Sequence, residues 1–569
     1  MKEKRAKILF SLFFLGIVLL FARSFQLQIL NWNKYTMEVQ ELSTRIVKDS
    51  PKRGNIYDRN GNLLAWNQRI YNLTNLGGTL SEETEAELYQ VLKGVVDNPY
   101  TVIDKLNFQK RVNLEINSVT AQKIANIDKN LQVEERYIRK YAHESLYHVL
   151  GYVDNEGTPR SGLELVFDKK LQGQPGYKMI NIATNESVSP TIANAHSING
   201  NNIYLTLDLD LQIKAYNYLK ENNYNGSVII SEPKTGEILV FVSYPSVDPN
   251  LFAQGMSNLE FQRILNDNNM PLLNRATSAL YPPGSIIKPF VAYAALEGGI
   301  SPQATINSTG RYDLKNSQGN IIASYYDWYT LGHGETDLVK SLRASVNSYY
   351  YWLGENLGID YLKSVVDRFD ITSKTGIEIP NEKVGIFPDP SWKYEKFDTI
   401  WYPGETLLTY IGQGYVTMTP LQILRIYNIL ATEGEYYQFS LFKREEDVFG
   451  NIINKNVPLL RDSYEMNTEY LKYIYKGMIE VTSFSGPPGE EGTAYQSFSD
   501  FPITVAGKTG TAEVGGGKPA HSWFAGFLPA NNAQYSIVVI IENGGMGSTG
   551  AAPIAREILD DLVEKYHIQ

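Results

Sequence analysis

Apolar residues run from Ile8 to Ala22, interrupted only by Ser11 and Gly16, behind the basic opening Met-Lys-Glu-Lys-Arg-Ala-Lys. A helix of that length reaches about 22 Å, short of a bilayer core of about 30 Å. Continuing through Phe25, Leu27 and Leu30 supplies the missing length, with Arg23 snorkelling to the outer interface. The pattern predicts an uncleaved membrane anchor over residues 1–30. The alternative is a cleaved signal peptide, but Leu20-Phe21-Ala22 lacks the small-x-small spacing of a cleavage site. Lys2, Lys4, Arg5 and Lys7 place the N-terminal end in the cytoplasm and the rest of the chain outside.

The spacing of Tyr35, Val39, Leu42 and Ile46 is helical and predicts a stalk over residues 33–47 that extends the anchor. Asn60-Gly61, between apolar residues, signals a two-residue hairpin turn, read as a plain hairpin with a salt-bridged arginine. Residues 70–200 alternate short strands with charged helical stretches such as 81–96 and carry no catalytic constellation. The Asn-, Ser- and Gly-rich stretch 184–202 marks a boundary. Beyond it the texture changes. Ile203–Leu207 reads as a strand, and 208–222 as a helix capped by Asp208. Residues 228–242 form a hairpin, and strands 523–528 and 535–542 with a helix over 552–566 close the chain. The expected division is 1–30 cytoplasmic stub and anchor, 31–200 a non-catalytic domain, and 201–569 one large mixed α+β domain.

Composition narrows the chemistry. The 569 residues hold two or three domains, each large enough for a full core. A net charge of −10, with no long basic run after the N-terminus, argues against nucleic acid as a partner. With no cysteine there are no disulfides, no thiolate catalysis and no cysteine-based zinc site. The six histidines, at 143, 148, 196, 333, 521 and 567, form no ligand spacing, so no metal is expected.

Three short stretches carry candidate chemistry. In Tyr281-Pro-Pro-Gly-Ser-Ile-Ile-Lys-Pro-Phe290, Ser285 and Lys288 share one face if a helix starts there. A serine at such a start sits among unpaired backbone N–H groups, and a lysine packed among Ile286, Ile287 and Phe290 loses its proton easily. That is a nucleophile with its base. Pro289 predicts an irregular start near Ile286. Ser231-Glu-Pro-Lys234 has the same spacing but lies in a strand–turn–strand context and is set aside as turn residues. Next, a short helix over 337–344 with Thr336 as cap precedes Ser345-Val-Asn347 and a second helix over 348–356. At such a corner Ser345 can relay a proton and Asn347 can hold an amide, although a capping turn needs no more, and Ser197-Ile-Asn199 repeats the pattern. Last comes Ile503-Thr-Val-Ala-Gly-Lys-Thr-Gly-Thr-Ala-Glu513, a β-rich stretch whose Gly507 and Gly510 allow another backbone to approach closely. As an edge strand it binds an extended peptide, with the charge of Lys508 and the hydroxyls of Thr509 and Thr511 suited to a carboxylate. Lys234-Thr-Gly236 and Lys374-Thr-Gly376 lack that context.

Ser-x-x-Lys, Ser-x-Asn and Lys-Thr-Gly in that order are the signature of penicillin-binding proteins and class A β-lactamases. The chain resembles the monofunctional class B penicillin-binding proteins from end to end. Arg53-Gly-Asn-Ile-Tyr-Asp-Arg-Asn-Gly61 resembles the opening of their pedestal domain, and Ser161-Gly-Leu-Glu164 with Leu171-Gln-Gly173 a later pedestal motif. Thr235-Gly-Glu-Ile238, Ser243-Tyr-Pro-Ser-Val-Asp-Pro-Asn250, Gly332-His-Gly334, Ile411-Gly-Gln-Gly414, Thr419-Pro-Leu-Gln422 and Ala551-Ala-Pro553 resemble the catalytic part. Tyr141-Ala-His143 departs from the family, where proline follows the tyrosine.

The resemblance implies a penicillin-binding transpeptidase fold, an antiparallel sheet flanked by helices, behind an elongated pedestal and one transmembrane helix. It implies a peptidoglycan D,D-transpeptidase in which Ser285 attacks the bond between the terminal D-alanines of a stem peptide and Lys288 takes its proton. Backbone N–H groups of Ser285 and Thr511 form the oxyanion hole. Ser345 and Lys508 pass the proton to the leaving amine, Asn347 holds the donor peptide, and Thr509, Gly510 and Thr511 bind its end. No cofactor is needed, and β-lactams acylate Ser285. A SEDS-type glycan polymerase, other cell wall synthesis proteins and the cytoplasmic membrane are the implied partners. The rivals are a bifunctional enzyme, for which 31–200 is too short, a β-lactamase or D,D-carboxypeptidase, and a scaffold that recruits the polymerase.

Overall fold

The computed structural model describes residues 2–35, 44–49, 51–181 and 193–569, in two compact units. The first unit joins 1–54 to 172–200. Its helix Lys2–Phe25 continues as a wider turn over Gln26–Leu30, and the apolar stretch Lys7–Leu30 is long enough to cross a membrane. Thr44–Asp49, Gly176–Asn181 and Ala193–Ala195 form an antiparallel sheet in that order. The helical stalk expected over 33–47 is therefore wrong at its end. Ile46 and Val47 lie in a strand, opposite Met179 and Lys178, while Val39, Leu42 and residues 184–192 of the expected boundary lie outside the described residues. A partner strand more than a hundred residues away overrides local period, and no sequence window sees it. Asn199 is structural here, its Oδ1 accepting from Lys52 N at 2.9 Å.

The second unit joins 55–171 to 201–569. One of its sheets runs Ile452–Lys455, Phe442–Glu446, Asn202–Leu205, Ile56–Tyr57, Leu63–Asn75, Arg111–Leu114, with Leu131–Tyr141 also paired to Leu63–Asn75. The hairpin at Asn60-Gly61 exists, but Asp58 N donates to Asn62 O at 2.8 Å and Gly61 has φ +90°, so the loop holds three residues rather than two. The Asp58 carboxylate decides this by accepting from Asn60 N and Asn62 N, both at 2.8 Å. Arg59 is the paired arginine, 2.8 Å from Glu232 and 3.3 Å from Glu237.

The sheet that positions the site is built from β1 (Gly226–Ser231), β2 (Ile238–Tyr244), β3 (Ala506–Ala512), β4 (His521–Leu528) and β5 (Tyr535–Ile541), all antiparallel in the order β2-β1-β5-β4-β3. Alternate residues feed two cores. Val228, Ile230, Ile537, Val539 and Ile541 pack with Leu211, Leu219, Ile558 and Leu562 on one face. Ile229, Val538 and Ile540 pack with Phe290, Val291 and Leu424 on the other. Each such side chain contributes about 2 kcal/mol on burial. Helix α1 (Lys288–Glu297) is buried from Lys288 to Leu296, which is why its sequence is apolar all round. Strand β3 lies at the sheet's edge.

Candidate active site

Ser285 sits on a single 3₁₀ turn, Gly284–Ile287, that runs into α1 at Lys288. Pro289 falls in the first turn of α1, where its missing N–H costs nothing. The turn is fixed on all sides. Gly284 N donates to Gly412 O at 2.9 Å, Tyr427 Oη to Ile286 O at 2.8 Å, and Trp523 Nε1 to Pro282 O at 3.2 Å. Gly284 has φ +54°, and a Cβ there would stand 3.0 Å from Thr511 O, so β3 runs directly beside the nucleophile's turn. A Cβ on Gly510 would stand 2.8 Å from Ile286 Cγ2. Ser285 is half-buried between buried neighbours.

Lys288 is fully buried. Its Nζ donates to Ser345 O at 2.9 Å and to Asn347 Oδ1 at 2.8 Å, lies 3.4 Å from Ser345 Oγ, and sits 4.9 Å from the centre of the Tyr350 ring. Burial lowers its pKa to about 7, against a smaller opposing pull from Asp327. Lys508, also fully buried, donates to Ser345 Oγ at 2.9 Å and to Thr509 O at 3.0 Å. Burial, reinforced by the charge of Lys288, pushes its pKa well below the usual lysine value. The Ser345 hydroxyl thus bridges two lysines, each poorly placed to hold a proton.

Ser345 reaches this position in the left-handed region, at φ +58°, between α2 (Leu338–Arg343) and α3 (Asn347–Arg368, broken at Gly358). Two local expectations are corrected. The cap of α2 is Asp337, whose side chain accepts from Lys340 N at 2.8 Å, and Thr336 ends a strand instead. The second helix begins at Asn347, one residue earlier than expected, and breaks at Gly358, close to the expected end at 356, before a further helical stretch runs to Arg368. Its cap comes from elsewhere in the chain, because Asp327 accepts from Asn347 N at 2.5 Å and Ser348 N at 3.0 Å. Nothing near Ser345 in sequence announces that.

On β3, Thr509 is buried and shares a 2.6 Å hydrogen bond with Thr493 Oγ1, while Thr511 is exposed and its Oγ1 accepts from Gly547 N at 3.1 Å. Hydrogen bonds gather Lys288, Ser345, Asn347 and Lys508 into one network, and Gly284 brings Ser285 beside Thr511. Sequence reasoning missed Asp327, Trp328 and Thr493, which belong to no motif. The other matches fall elsewhere. Ser231 is buried at the end of β1, donating to Asn428 Oδ1 at 3.1 Å, and Lys234 is exposed on the turn. Lys374 is an exposed loop residue whose carbonyl accepts from Arg425 and Arg461, both at 3.4 Å. Among the described residues no cluster of three or more His, Asp or Glu could hold a metal ion.

Residues 226–560 match the penicillin binding protein transpeptidase domain. The chain belongs to that family. In this penicillin-binding protein, residues 48–205 also match the penicillin-binding protein dimerisation domain. Peptidoglycan D,D-transpeptidase MrdA of Haemophilus influenzae is 33% identical, over 98% of this chain and 92% of its own length. The Escherichia coli K12 protein of the same name is 31% identical, over 97% and 93%. Among solved structures, Helicobacter pylori PBP2 in complex with MreC superposes with a TM-score of 0.75 at 29% identity, covering 92% of this chain and all of that one. A chain of a peptidoglycan synthase complex that coordinates polymerization and crosslinking gives 0.73 at 28% identity, over 98% of this chain and 97% of its own.

Proposed function

We propose that this penicillin-binding protein is a peptidoglycan D,D-transpeptidase that works through an acyl-serine. The observation that carries the reading is the fully buried Lys288, one turn after Ser285 and in contact with the Ser345 corner, where burial lowers its pKa to about 7. Unprotonated Lys288 takes the proton as Ser285 Oγ attacks the penultimate D-alanine carbonyl. The oxyanion forms between the backbone N–H groups of Ser285 and Thr511, a term worth about 3 kcal/mol per donor. As the tetrahedral species collapses, the proton passes through Ser345 and Lys508 to the departing terminal D-alanine, and the acyl group stays on Ser285. Asn347 and the open edge of β3 hold the donor peptide, and Thr509, Gly510 and Thr511 bind its carboxylate end. An amine from a second stem peptide then attacks the ester, closes the cross-link and returns the proton to Ser285. β-Lactams acylate the same serine, and no cofactor takes part.

The apolar helix over Lys7–Leu30 anchors the chain in the bacterial cytoplasmic membrane, with the basic end inside and the catalytic part outside. The division into anchor 1–30, pedestal 31–200 and catalytic domain 201–569 belongs to the same proposal. So does a membrane-embedded SEDS-type glycan polymerase as partner, which the synthase complex containing a similar chain supports. The test is covalent labelling by a fluorescent penicillin on a denaturing gel. Wild type and Ser231→Ala are expected to label, and Ser285→Ala is not. Label that survives in Ser285→Ala refutes the nucleophile. Cross-linked dimers formed from donor and acceptor strands, rather than trimmed monomers alone, separate the transpeptidase from a carboxypeptidase.

A further inference from the structure

Tyr326-Asp327-Trp328 has no part in the reaction described above, yet it grips the Ser345–Asn347 corner at three points. Trp328 Nε1 donates to Ala344 O at 2.9 Å, just before the corner. Tyr326 O accepts from Asn347 Nδ2 at 3.5 Å, just after it. Between them Asp327, 3% exposed, spends its carboxylate on four donors. These are Asn347 N at 2.5 Å, Ser348 N at 3.0 Å, Ser308 Oγ at 2.9 Å and the Ser348 hydroxyl.

This is more than a helix cap requires. A neutral serine or asparagine caps a helix without the cost of burying a carboxylate. Two features of the site account for the charge. Ser345 is held in a left-handed backbone conformation, which persists only where its surroundings over-determine it. And two lysines, Lys288 and Lys508, are fully buried against one hydroxyl. The field of Asp327 reaches Lys288 and opposes the effect of burial there. The other groups facing these residues are His333 and Tyr351 around Asp327, and Lys508 and the Tyr350 ring around Lys288; Lys340 reaches His333.

We propose that Asp327 is a positioning residue of the transpeptidase site: its carboxylate fixes Ser345 and Asn347 in register with Lys288 and serves as the counter-charge of that lysine. The inference rests on the acyl-serine reading, in which Lys288 is the base.

The experiment is the second-order rate of acylation by a fluorescent penicillin, measured on the full chain from about pH 5 to about pH 9. Asp327→Asn keeps the shape and one acceptor oxygen but removes the charge. Its plateau rate is expected to fall roughly tenfold, through misplacement of the corner. Its acid limb is expected to move to lower pH, because the charge that favours protonated Lys288 is gone. Ser348→Ala removes one donor and keeps the charge, so the rate is expected to fall about threefold with the limb in place. A purely structural role would lower the melting temperature and the yield of active protein without moving the limb. An Asp327→Asn profile that superimposes on wild type, or whose limb stays put while only the folded fraction drops, overturns the proposal. If Asp327→Asn yields no folded protein, Ser308→Ala and Ser348→Ala decide, and unchanged rates in both overturn it. Ser285→Ala runs alongside. If it fails to label while the Asp327→Asn profile is unmoved, this inference alone falls. If it labels, the acyl-serine reading falls and takes this inference with it.

Discussion

The chain carries Ser-x-x-Lys at 231–234 and again at 285–288, in opposite kinds of backbone. The first begins at the end of a buried strand and finishes on an exposed turn, where Lys234 reaches Asn532 Oδ1 at 2.6 Å. Its serine is sealed in the core against Asn428. The second begins at the half-buried Ser285 on an otherwise buried 3₁₀ turn and puts its lysine at the head of a buried helix. So one pair has a buried hydroxyl and an exposed lysine, and the other a more accessible hydroxyl and a fully buried lysine. Spacing selects candidates, whereas burial decides which member of the pair can give up a proton.

The lysines test this most severely. Lys288→Met keeps the volume and removes the base, and acylation is expected to drop roughly a thousandfold, while Lys234→Ala leaves it unchanged; stopped-flow labelling checks both. The same pair of variants sharpens the electrostatic side. Lys288 has a folded pKa of about 7, below the ordinary lysine value. The unfolded chain therefore binds more protons between about pH 7 and about pH 10, so wild-type stability should rise with pH across that window relative to Lys288→Met. A flat difference in thermal unfolding would mean that Lys288 is not desolvated.

The repeated Lys-Thr-Gly offers a smaller contrast. Gly510→Ala drives a methyl to 2.8 Å from Ile286 Cγ2, so acylation is expected to fall roughly tenfold through displacement of the nucleophile's turn. Gly236 has φ +74°, and a Cβ there would stand 2.1 Å from Gln438 O. Gly236→Ala should thus cost stability, about 2 kcal/mol, with no change in rate per folded molecule. Acylation rates normalised to active protein separate the two. The smallest expected effect belongs to Ser231→Ala, which leaves Asn428 Oδ1 unpaired and should lower unfolding stability by about 1 kcal/mol with labelling intact.

Much of this geometry is legible in the sequence. Asp208 caps its helix by accepting from Asp210 N at 3.1 Å and Leu211 N at 3.2 Å, as its position predicts. The strand–turn–strand around 231–238 also follows from local composition. What was not legible has a common cause. The cap of α3 is Asp327, twenty residues upstream, and the partner of the Thr44–Asp49 strand lies at 176–181. Thr493 meets Thr509 from a loop between helices. In each case the deciding atom arrives through tertiary structure, and neither periodicity nor motif spacing encodes it.

The edge position of β3 carries a hazard as well as a use. A row of unpaired backbone groups is a template for any extended chain, including another copy of the protein or a misfolded neighbour. Here the template is only seven residues long, and two of them, Gly507 and Gly510, are poor strand formers with no side chain to interlock. The chain thus keeps an opening that a short peptide can fill, while offering a growing fibril little to hold.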